Sequence, residues 1–195
     1  MKKFTTVLCI MFFASVGAFA QGVSGGIKAG LNLSNMTFSS SGYTTSPSFS
    51  PALHGGVYLT AMFSEHLGLQ PELLFSGQGA KSDNDKYKLN YITVPVLVRY
   101  NVNSLLSFHA GPQVGFLMSA KEKISSTTTD IKDQFKSTDL GVAAGIGIDL
   151  PMKLNFSFRF VKGLSDIANS DDNTYNVKAK NYALQFSVGY KLFGK

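Results

Sequence analysis

The chain has 195 residues, of which 44% are hydrophobic and only 15% charged, with a net charge of +6. The apolar share excludes a disordered chain, and the single Cys excludes an intrachain disulfide or a cysteine metal cluster. The Lys and Arg residues are scattered along the sequence, which argues against a nucleic-acid partner, and 19 Gly with 16 Phe point to an aromatic, glycine-rich β protein.

Residues 1–20 read as a secretory signal peptide. Lys2 and Lys3 supply the positive start, Phe4 to Gly17 the apolar stretch, and Ala18-Phe19-Ala20 the small-residue cleavage site. Cys9 lies inside the apolar stretch after Leu8, which does not fit a lipoprotein signal. Cleavage leaves residues 21–195 as one domain. No apolar run in that domain reaches the length of a transmembrane helix, so a closed β-barrel is the remaining way to span a membrane.

Alternation with a period of two then recurs along the chain. In the first segment Ile27, Ala29, Leu31 and Leu33 oppose Lys28, Gly30, Asn32 and Ser34. The second and third segments run from Pro51 to Phe63 and from Leu67 to Lys81. In the fourth, Ile92, Val94, Val96, Val98 and Tyr100 oppose Tyr91, Thr93, Pro95, Leu97 and Arg99. The fifth runs from Leu105 to Lys121, and the sixth, Thr138 to Leu150, sets Leu140, Val142, Ala144, Ile146 and Ile148 against Gly141, Ala143, Gly145, Gly147 and Asp149. The seventh sets Leu154, Phe156, Phe158 and Phe160 against Asn155, Ser157 and Arg159. The eighth sets Tyr182, Leu184, Phe186, Val188 and Tyr190 against Ala183, Gln185, Ser187 and Gly189. Eight strands of about 10 to 15 residues fit an all-β fold, an eight-stranded antiparallel up-and-down transmembrane β-barrel. Prolines 71, 95, 112 and 151 are expected at bulges or ends.

One face of these segments is large and apolar, while the other is small or polar and too glycine-rich for a solvent surface. The pattern assigns the large residues to lipid and the small ones to a narrow lumen. A soluble periplasmic lipocalin-like carrier of small ligands would need the reverse. Short turns near Ser64-Glu65-His66, Asn101–Ser104 and Leu150-Pro151-Met152 alternate with long polar connections at Met36–Ser50, Lys121–Lys136 and Leu164–Lys180. Ser82–Lys86 is the short exception among the latter. Phe63, Tyr100 and Tyr190 fall at the turn end of the apolar face, and Phe75, Phe116, Phe160 and Tyr182 toward the other, as two aromatic girdles would.

Three segments carry a family resemblance. GIKAGLNLSNM (Gly26–Met36), YITVPVLVRYN (Tyr91–Asn101) and FRFVKGLSDIAN (Phe158–Asn169) resemble the first, fourth and seventh strands of the PorT-like outer-membrane β-barrel proteins of the Bacteroidetes. The resemblance implies a Gram-negative outer-membrane location, and some of these relatives are linked to protein secretion. Gly194 and Lys195 follow Phe193, where many outer-membrane barrels end on the aromatic residue.

The inward set contains five charges: Lys28, Glu72, Arg99, Asp149 and Arg159. In a lumen just filled by side chains, they are expected to pair as a structural polar network. His54, His66 and His109 are scattered, without metal-ligand spacing, and no G-x-S-x-G motif is present. A lipid-modifying barrel enzyme is therefore the weaker alternative. No cofactor is expected, because Gly141, Gly145 and Gly147 alternate on a strand face rather than opening a helix as a phosphate loop does. Asp166, Asp171 and Asp172 lack calcium-loop spacing and read as solvated loop residues. The expected partners are outer-membrane lipid and, through the long loops, secretion or cell-surface proteins, with the barrel itself a monomer. A structural, adhesive or secretion-accessory role follows, rather than that of a general diffusion porin.

Overall fold

A computed structural model describes residues 22–40, 43–45, 48–81, 85–124, 127–169 and 178–194. The expected signal peptide at 1–20 lies outside the described residues, as do the centres of the connections at 82–84, 125–126 and 170–177. The strands are β1 (Gly22–Ser40), β2 (Tyr43–Thr45), β3 (Ser48–Met62), β4 (Leu67–Lys81), β5 (Asp85–Asn101), β6 (Leu106–Ile124), β7 (Thr127–Asp130), β8 (Thr138–Asp149), β9 (Leu154–Gly163) and β10 (Lys178–Phe193).

Eight of them form an antiparallel ring in chain order, β1-β3-β4-β5-β6-β8-β9-β10. The ring closes where β10 pairs with β1, from Gly25 opposite Phe193 to Ser39 opposite Lys178. Closure leaves the ring without a free edge, which is what allows a sheet to cross lipid. The short strands β2 and β7 extend β1 and β6 at one end. At the other end the turns are tight. Phe63 donates to the Leu67 carbonyl at 2.8 Å, Val102 to Leu106 at 2.9 Å and Leu150 to Leu154 at 2.8 Å. Asn103 Oδ1 caps the second turn by accepting from the Leu105 and Leu106 amides. Lys153 closes the third turn in the left-handed region, with φ 63°.

The alternation read from the sequence is the alternation of the wall. On β9, Phe156, Phe158 and Phe160 face outward, whereas Ser157 and Arg159 are buried. On β5, Tyr91, Thr93, Leu97 and Arg99 are buried, and Val98 and Tyr100 face outward. Phe63, Tyr100 and Tyr190 stand exposed at the turn end, and Phe75, Phe116 and Phe160 stand exposed toward the other. Tyr182 is partly covered, with Phe49 packed edge-on at 5.6 Å.

The long connections need a correction. β1 runs on to Ser40, β3 begins at Ser48, β6 reaches Ile124 and β10 begins at Lys178, all inside stretches expected to be loops. The exposed residues there mix Lys121, Lys123, Lys178 and Lys180 with Phe49 and Ile124, so the outer face beyond the lipid loses its regular apolar period. The inner face keeps an apolar period. Met36, Leu89, Tyr91, Leu117, Ala120 and Ala179 form one cluster with Ile131 and Ile167, which the connecting segments fold back over the mouth. Phe135 bridges to Ala168 between those two segments.

Of prolines 71, 95, 112 and 151, the first three share one interruption. Pro71 pairs with Val96, and the β4–β5 ladder then skips to Leu74 opposite Thr93. The β5–β6 ladder skips from Pro95–Gln113 to Val98–Ala110, so Val96 and Pro112 fall in the gap. Each missing proline N–H thus falls where pairing is already broken. Pro151 sits in the β8–β9 turn. Gly79 has φ +149°, and a Cβ there would lie 2.0 Å from the Tyr87 carbonyl oxygen.

Candidate functional site: the lumen polar network

The ring brings the five predicted charges into the lumen as two groups. β1 presents Lys28, β4 Glu72 and β9 Arg159, three strands separated around the wall. Lys28 Nζ lies 2.8 Å from Glu72 Oε1. Arg159 grips the same carboxylate with both terminal nitrogens, Nη1 to Oε2 at 2.9 Å and Nη2 to Oε1 at 3.0 Å. The Glu72 side chain has no exposed surface and its two cations 2% each. Lys28 Nζ also stands 5.5 Å from the centre of the Tyr58 ring, a cation–π distance. Nearer the turns, Arg99 of β5 pairs with Asp149 of β8, a carboxylate that keeps 28% of its surface. Asn155 donates to the other Asp149 oxygen at 3.0 Å.

Gln70 joins the two groups, a residue the sequence reading did not single out. Its Nε2 donates to Glu72 Oε1 at 2.7 Å, and its Oε1 accepts from Arg99 Nη1 at 3.1 Å and from Thr60 Oγ1 at 3.2 Å. The signal that could have found it is its position two residues before Glu72 on the inward face of β4. Three cations share two carboxylates here, so the neutral amides and hydroxyls distribute the charge. Between the Arg99 group and the turns lies a polar cavity of about 160 Å³, lined by Tyr58, Thr60, Asn101 and Asp149 among others. On the opposite side Asp139 accepts from Asn181 Nδ2 at 2.9 Å and from Ser165 Oγ at 3.0 Å, beneath the apolar cluster.

The histidines do not assemble a catalytic set. His66 is exposed in the first turn, where its Nδ1 donates to the Asn101 carbonyl at 2.7 Å and its ring stacks on Tyr100. His54 and His109 are buried in the lumen. His54 Nε2 is 2.8 Å from Ser187 Oγ, but its Nδ1 has no hydrogen-bond partner among the described residues, so no carboxylate orients the ring. Neither nitrogen of His109 has such a partner. Among the described residues no three His, Cys, Asp or Glu side chains converge on a point that could hold a metal. The glycines of β8 have a packing cause. A Cβ on Gly145 would meet the Phe158 carbonyl oxygen at 2.2 Å, and one on Gly147 would meet Ser107 Oγ at 2.7 Å, beside His109.

A closed ring with an apolar outside and charges inside narrows the comparison to membrane barrels. The family model described as "Outer membrane protein beta-barrel domain" matches residues 19–169. The chain belongs to that family. This barrel domain shares its fold with two small outer-membrane proteins of known structure. Ail, the attachment invasion locus protein of Yersinia pestis, is 15% identical with a TM-score of 0.52, and the alignment covers 87% of this chain and 98% of Ail. Neisserial surface protein A is 13% identical with a TM-score of 0.53, covering 85% of this chain and 97% of the other. No curated protein matches the sequence. The barrel domain is located in the outer membrane, and the soluble carrier with reversed faces is set aside, because Leu31, Leu53, Phe75 and Phe186 point out of the ring.

Proposed function

We propose that this outer-membrane barrel keeps a closed lumen and works through its surfaces, in a structural, adhesive or secretion-accessory role, without catalytic activity. One observation carries the reading. Glu72 spans the lumen between Lys28 and Arg159 with no exposed side-chain surface. An eight-stranded ring is wide enough only for its side chains, and this ion cluster occupies its middle. The apolar cluster around Met36, Leu89 and Ile167 adds a second closure at the long-connection end. The segments Gly26–Met36, Tyr91–Asn101 and Phe158–Asn169 support placing the chain with the PorT-like barrels of the Bacteroidetes, and hence a link to secretion. Attachment is the property carried in the name of Ail, a protein of the same fold. In this reading residues 1–20 are a cleaved signal peptide, the barrel is a monomer, and the long connections meet secretion or cell-surface proteins.

The test is conductance. The mature chain inserted in a planar bilayer gives no steady channel, while a Glu72→Ala variant that still folds gives small, flickering steps. Large, stable steps from the unmodified protein would overturn the closed-lumen reading. Lipid A isolated from cells expressing the protein is unchanged in mass, and a new acylated or trimmed species would point to the enzyme instead.

A further inference from the structure

We propose that the outer ends of β8, β9 and β10 form a binding site for one phosphorylated lipid of the outer leaflet. The lysines that look scattered in the sequence are gathered by the fold. Lys162 is exposed near the end of β9, paired across to Val142 on β8 and to Tyr182 on β10. Lys180 lies two residues farther out on β10, in the diagonal position on the same face, and Lys178 two residues beyond it. Diagonal neighbours across antiparallel strands are within reach of long side chains. Neither Lys162 nor Lys180 has a carboxylate partner among the described residues, and the outward faces of β8, β9 and β10 carry no acid at all. The acids of these strands, Asp139 and Asp149, turn inward to Asn181 and Arg99.

Directly below this cationic end the apolar wall is hollow. Ala110 of β6 pairs with Ala144 of β8, and Ala144 with Phe160 of β9, so two methyl groups lie side by side where neighbouring rows carry large side chains. Phe108, Phe158 and Phe160 wall the resulting groove, which has a volume of about 670 Å³. Phe160 forms its upper end and is followed two residues later by Lys162. A hydrocarbon chain in the groove therefore ends at a pair of unneutralised ammonium groups. The occupant that satisfies both is an amphiphile with an acyl chain and a compact anionic head. A phosphate fits, because lysine binds it as a point charge without needing a planar, two-toothed carboxylate. The long-connection end of such a barrel faces outward, which places the head in the outer leaflet.

The experiment uses the full mature protein in phosphatidylcholine nanodiscs, with bisphosphorylated lipid A or its dephosphorylated form added in turn. Native mass spectrometry counts the lipid retained. The unmodified protein holds one bisphosphorylated molecule in preference to the dephosphorylated one by about tenfold or more, the scale expected for two surface lysines. K162Q/K180Q abolishes that preference. K88Q/K121Q, on the opposed pair Lys88 and Lys121 of β5 and β6, leaves it unchanged. A110L/A144L fills the groove and lowers retention of both forms. The proposal is overturned if the unmodified protein holds the two forms equally, if K88Q/K121Q acts as strongly as K162Q/K180Q, or if the groove variant retains lipid as before. Heat-modified gel mobility establishes that each variant is folded, and all four substituted lysines are on the surface, so folding does not mask the result.

Discussion

Glu72 is the residue on which the interior depends most. Removing its charge leaves Lys28 and Arg159 buried together with no counter-ion. Taking one member from a buried ion group costs about 3–5 kcal/mol, largely because the remaining charge stays desolvated. Glu72→Leu is therefore expected to lower folding stability by that amount, read as a shift of the urea midpoint for unfolding from detergent or vesicles. Asp149→Asn is expected to cost only about 1 kcal/mol, since its carboxylate is partly exposed at the turn-end cavity and water replaces much of the lost interaction. Equal effects would mean the two ion groups are one unit, joined through Gln70 more tightly than their burial suggests. All five charges were legible as inward from alternation alone. Their partners were not. Which residue of β1 meets which residue of β4 across a lumen depends on the stagger of the ring, and the sequence does not print the stagger. For the same reason Gln70 passed unnoticed, since nothing about an isolated glutamine distinguishes a linker from lumen filling.

Strands were legible wherever both faces had a distinct environment, and illegible where one face lost it. Inside the lipid, Leu31, Phe75 and Phe158 mark one side and Asn32, Ser76 and Arg159 the other. Beyond it, β6 continues through Lys121, Glu122 and Lys123, and β10 begins with Lys178 and Lys180, sequences that look like loop until their inward neighbours Ala120 and Ala179 are seen in the apolar cluster. The cluster predicts how this end behaves. Ile167 is fully buried, and its amide donates to the Ala179 carbonyl at 2.9 Å. Ile167→Ala removes side-chain volume at a cost of about 2–5 kcal/mol where the site cannot collapse. That loss is expected to appear locally, as faster amide exchange and easier proteolysis in the two connecting segments, Ile131–Ser137 and Leu164–Asn169, with exchange in the ladder from Leu154 to Val161 unchanged. Uniformly faster exchange around the ring would show that the mouth and the barrel unfold together. Gly79→Ala tests the wall itself, where the positive φ and the Tyr87 carbonyl at 2.0 Å leave no place for a methyl group. It is expected to reduce the yield of heat-modifiable barrel, whereas Ala80→Gly next to it is expected to retain it.

For the whole molecule, the inside-outside assignment is the property that suits the barrel to the outer membrane, and it has a graded consequence. A charge placed on the lipid face is costly in proportion to its depth, about 2–4 kcal/mol for Arg at the bilayer midplane and about 0–1 kcal/mol near an interface. Phe158 is central on β9, and Leu192 lies next to the end of β10 at the turn side, both with side chains outside the ring. Phe158→Arg is expected to lose most of the midplane cost, and Leu192→Arg almost none, in reversible folding into phosphatidylcholine vesicles. In plain detergent micelles, which deform around a charge, the gap between the two narrows. A soluble β-barrel with an exposed apolar belt would respond in the opposite way, since an arginine on either site would improve its solubility and neither would depend on depth. The comparison also separates lipid contact from lumen packing. Arg159, one residue from Phe158, is tolerated in the wild-type barrel because it points inward to Glu72, so a cost at position 158 beside a native arginine at 159 measures the direction of the side chain rather than the local tolerance of the strand for charge.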